Sequence, residues 1–450
     1  MKFVGREKEL GVLKKSLGKR VIVIYGRRRV GKTTLVRKAL EEKRGIYYQA
    51  VKLPPPLLYR ELAVIVGQAL KDETLSSGRI DDPVVLFNLF ASKGQGWTLV
   101  LDEFGYMVEA DPALQSILQR FIDENRGKIG LFLTGSTYST MQSTLGERSP
   151  LWGRVDLSME VKPLDFAYTK DFWEKLDFKY RAGLYAALGG LPYNWERVRF
   201  GKDLFETFYL SFLILESPLY QEGFHILREE LREPKNYMAV LQAIAQGRRR
   251  FNEIADLSSI QPSSLMKYLD VLKDMRLIEQ EVPLGMKEKR RRGLWRISDP
   301  MLNFWFRFVF PYRHLIEFGA GKGILPKIKA EWDAYMGEIY EKIAFQIVQK
   351  LIVEGKLPFV EKLGRWWGKN KSGKEMELDI LGIRERKVVF AGEVNWGYFT
   401  AQDFKNFKQK VELLPFEKDK ELKLGIFSGK GFKFKVPKEV LAIKGESCPV

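Results

Sequence analysis

The chain is poor in the residues that build soft metal sites: its 450 residues include one cysteine, Cys448, and two histidines, His225 and His314. A disulfide framework needs paired cysteines, and a zinc site needs several Cys or His ligands, so neither is expected to organise this protein. Long apolar runs are missing too. The most apolar stretch, MLNFWFRFVFPY from Met301 to Tyr312, is short and interrupted by Arg307, which predicts a buried helix and not a membrane span. With no cleavable leader pattern either, the expectation is a cytoplasmic protein without a membrane partner. No internal repeat or low-complexity tract stands out. Acidic residues are in deficit: 57 Asp and Glu face 75 Lys and Arg, a net charge of +18. Such an excess favours polyanions, nucleic acid first.

Apolar residues at 45% and aromatics at 13% suffice for packed cores and argue against disorder. The length suggests about three domains. The most informative segment is VIVIYGRRRVGKTTL, Val21 to Leu35. An apolar run ends at Gly26, then G-x-x-x-x-G-K-T leads into a helix-compatible stretch. In this P-loop pattern glycines let successive N–H groups curl around a phosphate chain. The lysine adds a point charge, and the hydroxyl after it ligates Mg²⁺. Gly26, Arg27, Arg28, Arg29, Val30, Gly31, Lys32, Thr33 and Thr34 are therefore the expected nucleotide-binding set, with ATP and Mg²⁺ as cofactors. The following helix points its positive end at the same place.

A second apolar strand, WTLVLDEF from Trp97 to Phe104, ends in Asp102-Glu103. At the carboxyl edge of a parallel sheet, Asp102 can hold the Mg²⁺ shell through water beside Thr33, and Glu103 can orient or deprotonate an attacking water. A third strand, Ile129 to Leu133, runs into Thr134-Gly135-Ser136, small polar residues that either reach the γ-phosphate or simply end the strand.

FVGREKEL at the start, the GRRRVGKTTL loop, LVLDEF, LFLTGS and the later GGLP together resemble the archaeal P-loop ATPases of the AAA+/STAND kind. In one branch of these a winged helix and a C-terminal nuclease-like domain follow. The resemblance implies that Gly5 and Arg6 lie close to the adenine, that Ser136 is the polar residue at the strand end, and that Pro192 packs near the base in a helical-lid turn. It also implies that Arg154, in Pro150-Leu151-Trp152-Gly153-Arg154, acts as the arginine that reaches a γ-phosphate. Arg148 is the other candidate. Such an arginine suggests a homo-oligomer in which it completes a neighbour's site.

Asn236 to Pro300 reads as helix, basic run (Arg248, Arg249, Arg250), helix, turn, helix, and two strand-like segments around a basic linker, the winged-helix order. Ser263 is placed to cap the third helix. That helix would offer Ser264, Lys267, Tyr268 and Lys273 to the major groove of DNA, and Lys289, Arg290, Arg291 and Arg292 at the hairpin tip would meet phosphates or the minor groove. The last third alternates helix and strand and resembles the PD-(D/E)xK nuclease core. There Asp379 and Glu393 match the acidic positions that hold a metal ion, and Glu338 or Glu341 matches a helix carboxylate. The lysine position is Asn395, so efficient cleavage is not expected unless Lys374 or Lys387 substitutes.

The expected architecture is α/β: a P-loop parallel sheet over residues 1–165, a helical lid over 166–235, a winged helix over 236–310 and a small nuclease-like α/β domain over 311–450. The expected function is Mg²⁺-dependent ATP hydrolysis acting at DNA. The alternatives are an ATP-gated DNA endonuclease and a nucleotide-driven assembly switch that docks proteins without touching DNA.

Overall fold

The computed structural model describes residues 2–41, 43–135, 146–231, 233–285 and 293–445. They form two compact units, Met1–Pro163 with Leu191–Tyr193, and Leu164–Gly190 with Asn194–Val450. Ser136 and the basic quartet Lys289, Arg290, Arg291 and Arg292 lie outside the described residues.

The first unit is built on β1 (Val21–Tyr25), β2 (Gly45–Gln49), β3 (Thr98–Asp102), β4 (Gly130–Gly135) and β5 (Leu157–Glu160), in the order β2-β3-β4-β1-β5. Every pairing is parallel. Parallel strands are covered on both faces, which is why β1, β3 and β4 each carry a run of at least three consecutive apolar residues. Ile22, Val23, Leu99, Val100, Phe132 and Leu133 are all sealed from solvent. One face packs on helices Pro55–Leu70, Pro83–Lys93 and Leu114–Asn125 through Leu62, Phe87 and Leu118. The opposite face packs on Glu7–Ser16 and Lys32–Leu40 through Leu13, Leu35 and Val36. The register sets Tyr25 beside Gly135 and Gln49 beside Asp102, so the carboxyl ends of β1 to β4 share one edge.

In the second unit, helices Phe178–Leu188, Leu204–Phe212 and Pro218–Glu230 precede three more, Pro234–Ala245, Phe251–Ser258 and Pro262–Asp274. An antiparallel hairpin of β6 (Ile278–Glu281) and β7 (Leu294–Ile297) follows. The third helix of this set begins earlier than expected. Gln261 is its N-cap, without a side-chain bond, and Ser263 falls inside the first turn. Pro262 accounts for the difference: its fixed φ and missing N–H suit the first helical position. The apolar stretch at Met301–Tyr312 is helical, with a π-helical turn at Trp305–Val309 and buried Phe304, Trp305, Phe306 and Phe308. Among the described residues no helix is long and apolar enough to cross a membrane.

The long helix Leu325–Val353 leads to a mixed sheet of β8 (Lys362–Lys369), β9 (Glu375–Arg384), β10 (Lys387–Asn395), β12 (Glu417–Ser428) and β14 (Leu441–Lys444), ordered β14-β12-β10-β9-β8. The two-residue strands β11 (Tyr398–Phe399) and β13 (Gly431–Phe432) pair beside it. Helix Ala401–Leu413 covers one face through Phe404, Phe407 and Val411. A second, larger hydrophobic core runs from Leu164 and Phe166 through Leu265, Trp295 and Tyr335 to Phe427 and Ile443.

Candidate active site

The P-loop leaves β1 at Tyr25 and enters helix Lys32–Leu40, as the strand–glycine–helix pattern requires. Gly26 takes φ 154° and Gly31 takes φ 97°. A Cβ on Gly26 would stand 2.3 Å from the Val161 carbonyl oxygen, so no other residue fits there without displacing the backbone. Arg29 is also in the left-handed region, at φ 68°, a costlier position for a residue with a side chain. Its guanidinium lies 4.0 Å from the centroid of the Tyr193 ring, which follows Pro192. Arg28 donates to the Tyr106 hydroxyl at 2.9 Å. Lys32, buried to 6% exposure, folds back and donates to the carbonyls of Gly26 (2.8 Å) and Arg27 (3.0 Å). Val30 is sealed in the core, whereas Thr34 faces solvent.

Arg6 is buried beside this loop. It donates to the carbonyls of Lys162 at 2.5 Å and Val30 at 3.4 Å, and pairs with Glu9 at 3.1 Å. Gly5, at φ 67°, turns the chain into the helix that carries it. Arg6 thus braces the P-loop through its backbone.

Asp102 ends β3 at 2% exposure. Its Oδ2 accepts from Thr33 Oγ1 at 2.9 Å and from the Tyr47 hydroxyl. Its Oδ1 accepts from the Glu103 N–H at 3.0 Å and from Thr134 Oγ1. Thr33 and Asp102, far apart in sequence, are therefore joined in space. Thr33 and Asp102 form a hard oxygen donor pair of the kind that suits Mg²⁺. Glu103 follows in the left-handed region, φ 54° and ψ 41°, as the N-cap of helix Phe104–Ala110. Strained non-glycine backbone of this kind concentrates at functional sites. Tyr47 and Thr134 were not singled out as Asp102 partners by the sequence. They sit on neighbouring strands, and the one available signal was a polar residue near the end of a buried strand.

Arg154 is not at this edge. It lies just before β5, whose Leu157 pairs with Ile22 near the start of β1. Asp156 Oδ2 accepts from the Val21 N–H at 2.8 Å, which fixes this turn at the amino ends of the strands. A five-residue strand spans about 16 Å, so Arg154 and the P-loop of its own chain stand at opposite ends of the sheet. The guanidinium is held by Asp123, with Nε at 2.9 and 3.0 Å and Nη2 at 2.8 Å. Arg148 is exposed and lines a depression of about 580 Å³ with Gln115, Glu147 and Ser149.

In the second unit, Lys267, Ser264 and Lys273 are exposed on helix Pro262–Asp274. Tyr268 is more engaged: its hydroxyl accepts from Asn236 at 2.7 Å and its ring meets Tyr237 edge-on. Asp379 and Glu393 lie on the adjacent strands β9 and β10. Asp379 Oδ2 accepts from the Val394 N–H at 2.8 Å. Burial, then the charges of Glu393 and Glu341, push the Asp379 carboxyl up to about 7. Burial also raises Glu393, against the pull of Lys410. Lys410, on helix Ala401–Leu413, is ion-paired to Glu393. Neither Lys374 nor Lys387 takes that place. Lys410 lies 17 residues after Glu393 on a different element, so no local spacing betrays it.

The helix carboxylates are occupied by arginines. Arg249 pairs with Glu338 at 2.6 Å, and Glu341 lies 3.6 Å from Arg296 and 3.5 Å from Arg365. Among the described residues no three His, Cys, Asp or Glu side chains converge to hold a metal ion.

Comparison with known proteins agrees with this architecture. The family described as ATPase domain predominantly from Archaea matches residues 3–197, and that described as Archaea bacterial proteins of unknown function matches residues 305–407. The uncharacterized protein MJECL04 of Methanocaldococcus jannaschii is 32% identical over 410 residues, covering 90% of this chain and 89% of that one. The Walker-type ATPase paby2304 of Pyrococcus abyssi is similar in fold, with a TM-score of 0.52 at 22% identity over 68% of this chain and 96% of that one. With its P-loop, its Asp102 strand end and these matches, the chain belongs to the archaeal P-loop ATPases that carry this C-terminal domain, and it is an ATP-hydrolysing enzyme.

Proposed function

We propose that the enzyme hydrolyses ATP with Mg²⁺ and uses the cycle to act at DNA. The observation that carries the first part is the 2.9 Å contact between Thr33 Oγ1 and Asp102. It joins the hydroxyl that ends the P-loop to the carboxylate that ends β3. Bound there, Mg²⁺ would neutralise charge developing on the β- and γ-phosphates. Lys32 would exchange its two backbone carbonyls for phosphate oxygens. Glu103 would orient the attacking water, and Ser136 would contact the γ-phosphate. Gly5, Arg6 and Pro192 would border the adenine. Arg154 would act on a neighbouring copy, a role supported by its place at the far end of its own sheet.

Residues 236–310 would serve as a winged helix between the helical lid at 166–235 and the α/β domain at 311–450. The exposed Lys267 on helix Pro262–Asp274, the quartet Lys289, Arg290, Arg291 and Arg292, and the +18 charge favour a phosphate-rich partner. The deciding experiment is ATP turnover with and without duplex DNA, for wild type and Glu103→Gln. Stimulation by DNA, and a variant that binds ATP without hydrolysing it, are expected. Wild-type turnover by Glu103→Gln would remove Glu103 from its role.

A second reading, ATP-gated cleavage of DNA, is favoured by Lys410. Its ammonium beside Glu393 is the cation that Asn395 cannot be, and Asp379 and Glu393 could share a divalent ion there. On the first reading the same domain binds DNA without efficient cleavage. DNA cut by wild type but not by Lys410→Ala or Asp379→Ala would establish the second reading.

A further inference from the structure

We propose that Tyr47 is a positioning residue for ATP hydrolysis: its hydroxyl holds the Asp102 carboxylate in the orientation from which it can serve the metal shell through water. The inference rests on the Mg²⁺-dependent reading above.

A carboxylate offers about four acceptor positions, and among the described residues Asp102 has four donors: Thr33, Tyr47, Thr134 and the Glu103 N–H. Three of them belong to the sheet or to the strand end itself. Only Thr33 sits on the nucleotide loop and must turn when phosphate and metal arrive. Its departure opens one position on Oδ2, the oxygen that Tyr47 also holds. One free position suits a water of the metal shell, while the hydroxyl of Tyr47 keeps the carboxylate from rotating toward the ion. Mg²⁺ sheds its waters reluctantly, so an outer-sphere contact of this kind is chemically natural.

The phenol is itself held in place. On β2 it stands opposite Val100 and reaches along the strand to Asp102. Arg37, one turn below Thr33 on helix Lys32–Leu40, lays its guanidinium 4.5 Å from the ring centroid. Burial, then the hydrogen bond to Asp102, raises the Tyr47 hydroxyl well above the ordinary tyrosine range.

Tyr47→Phe removes the hydroxyl and keeps the ring under Arg37. The test is binding of a fluorescent ATP analogue to the full chain, in EDTA and across a Mg²⁺ titration, together with kcat and KM. Affinity in EDTA should stay within about twofold of wild type. The Mg²⁺ needed for half-saturation should rise about tenfold, and kcat should fall more than KM rises, the scale expected when one hydrogen bond to a charged group is lost. A wild-type Mg²⁺ requirement in the variant would overturn the assignment. So would an equal loss of affinity in EDTA and in Mg²⁺, which would mark Tyr47 as a packing residue. If wild type itself binds and hydrolyses without regard to Mg²⁺, the reading beneath the inference is what fails.

Discussion

Gly26 and Gly31 form a matched pair for testing how the P-loop is built. Both have positive φ, at 154° and 97°, but a Cβ on Gly26 would meet the Val161 carbonyl at 2.3 Å, whereas one on Gly31 would meet nothing within 4 Å. Gly31→Ala therefore carries backbone strain alone, about 1–3 kcal/mol. Gly26→Ala adds a steric conflict with backbone, worth about another 1–3 kcal/mol, because the Val161 carbonyl is tied by its own peptide to the turn after β5. The difference between the two variants should be about 2 kcal/mol. Hydrogen exchange of the β1 and β4 amides, measured without nucleotide, reads this locally and avoids assuming that the two units unfold together. Protection in β1 should fall about 30-fold further in Gly26→Ala than in Gly31→Ala, since about 1.4 kcal/mol corresponds to tenfold. Equal loss in the two variants, or a larger loss in Gly31→Ala, would refute the steric account of the loop.

Further outcomes follow from the same geometry. Lys32→Ala should abolish or severely weaken turnover by removing the charge proposed to meet the phosphates, and wild-type rates in a steady-state ATPase assay would contradict this. Mixing Lys32→Ala with Arg154→Ala should restore part of the activity if the arginine acts on a neighbour; no recovery, with a monomer by light scattering in every nucleotide state, would count against it. Neutralising Lys289, Arg290, Arg291 and Arg292 should weaken duplex binding and flatten its salt dependence, and an unchanged slope in fluorescence anisotropy would exclude phosphate contacts. The Asp379 carboxyl titrates near 7 in the fold and near 3.8 when unfolded, so the stability it contributes is present in acid and lost as pH rises through about 7. Asp379→Asn, melted in EDTA, should therefore gain stability over wild type at pH 8 and none near pH 4, and a pH-independent difference would show that the carboxyl is not so perturbed.

The parts of the site that were legible in the sequence are those made by one continuous stretch. Gly26 to Thr34 and Asp102-Glu103 announce themselves because strand, turn and helix succeed one another along the chain. Tyr47 did not, and Thr134 showed only as a strand-end residue, because both reach Asp102 through the register of β2 and β4 against β3. Lys410 escaped for a similar reason: it stands on a helix laid over the sheet and reaches Glu393 from a different element. Arg154 was legible as a motif, but its place at the amino ends of the strands came from the pairing of β5 with β1. Glu338 and Glu341 were correctly found on one helix, yet their arginine partners come from segments about 90 and about 45 residues before and about 24 after, beyond any periodicity.

Helix Leu325–Val353 runs 29 residues, about 43 Å, through the second unit like a keel. Tyr335 donates to the Ala186 carbonyl at 2.8 Å, Glu338 receives Arg249, and Asp333 faces Lys430 at 3.5 Å. Three stretches of chain are thus planked onto one timber. A gene fragment cut near residue 311 would leave the upstream helices without the surface that seals them, and the downstream sheet would carry an apolar helix with nothing to cover it. Inheritance should reflect this: the region after the ATPase should be gained, lost or exchanged among relatives as one piece, and exchanges inside it should be rare.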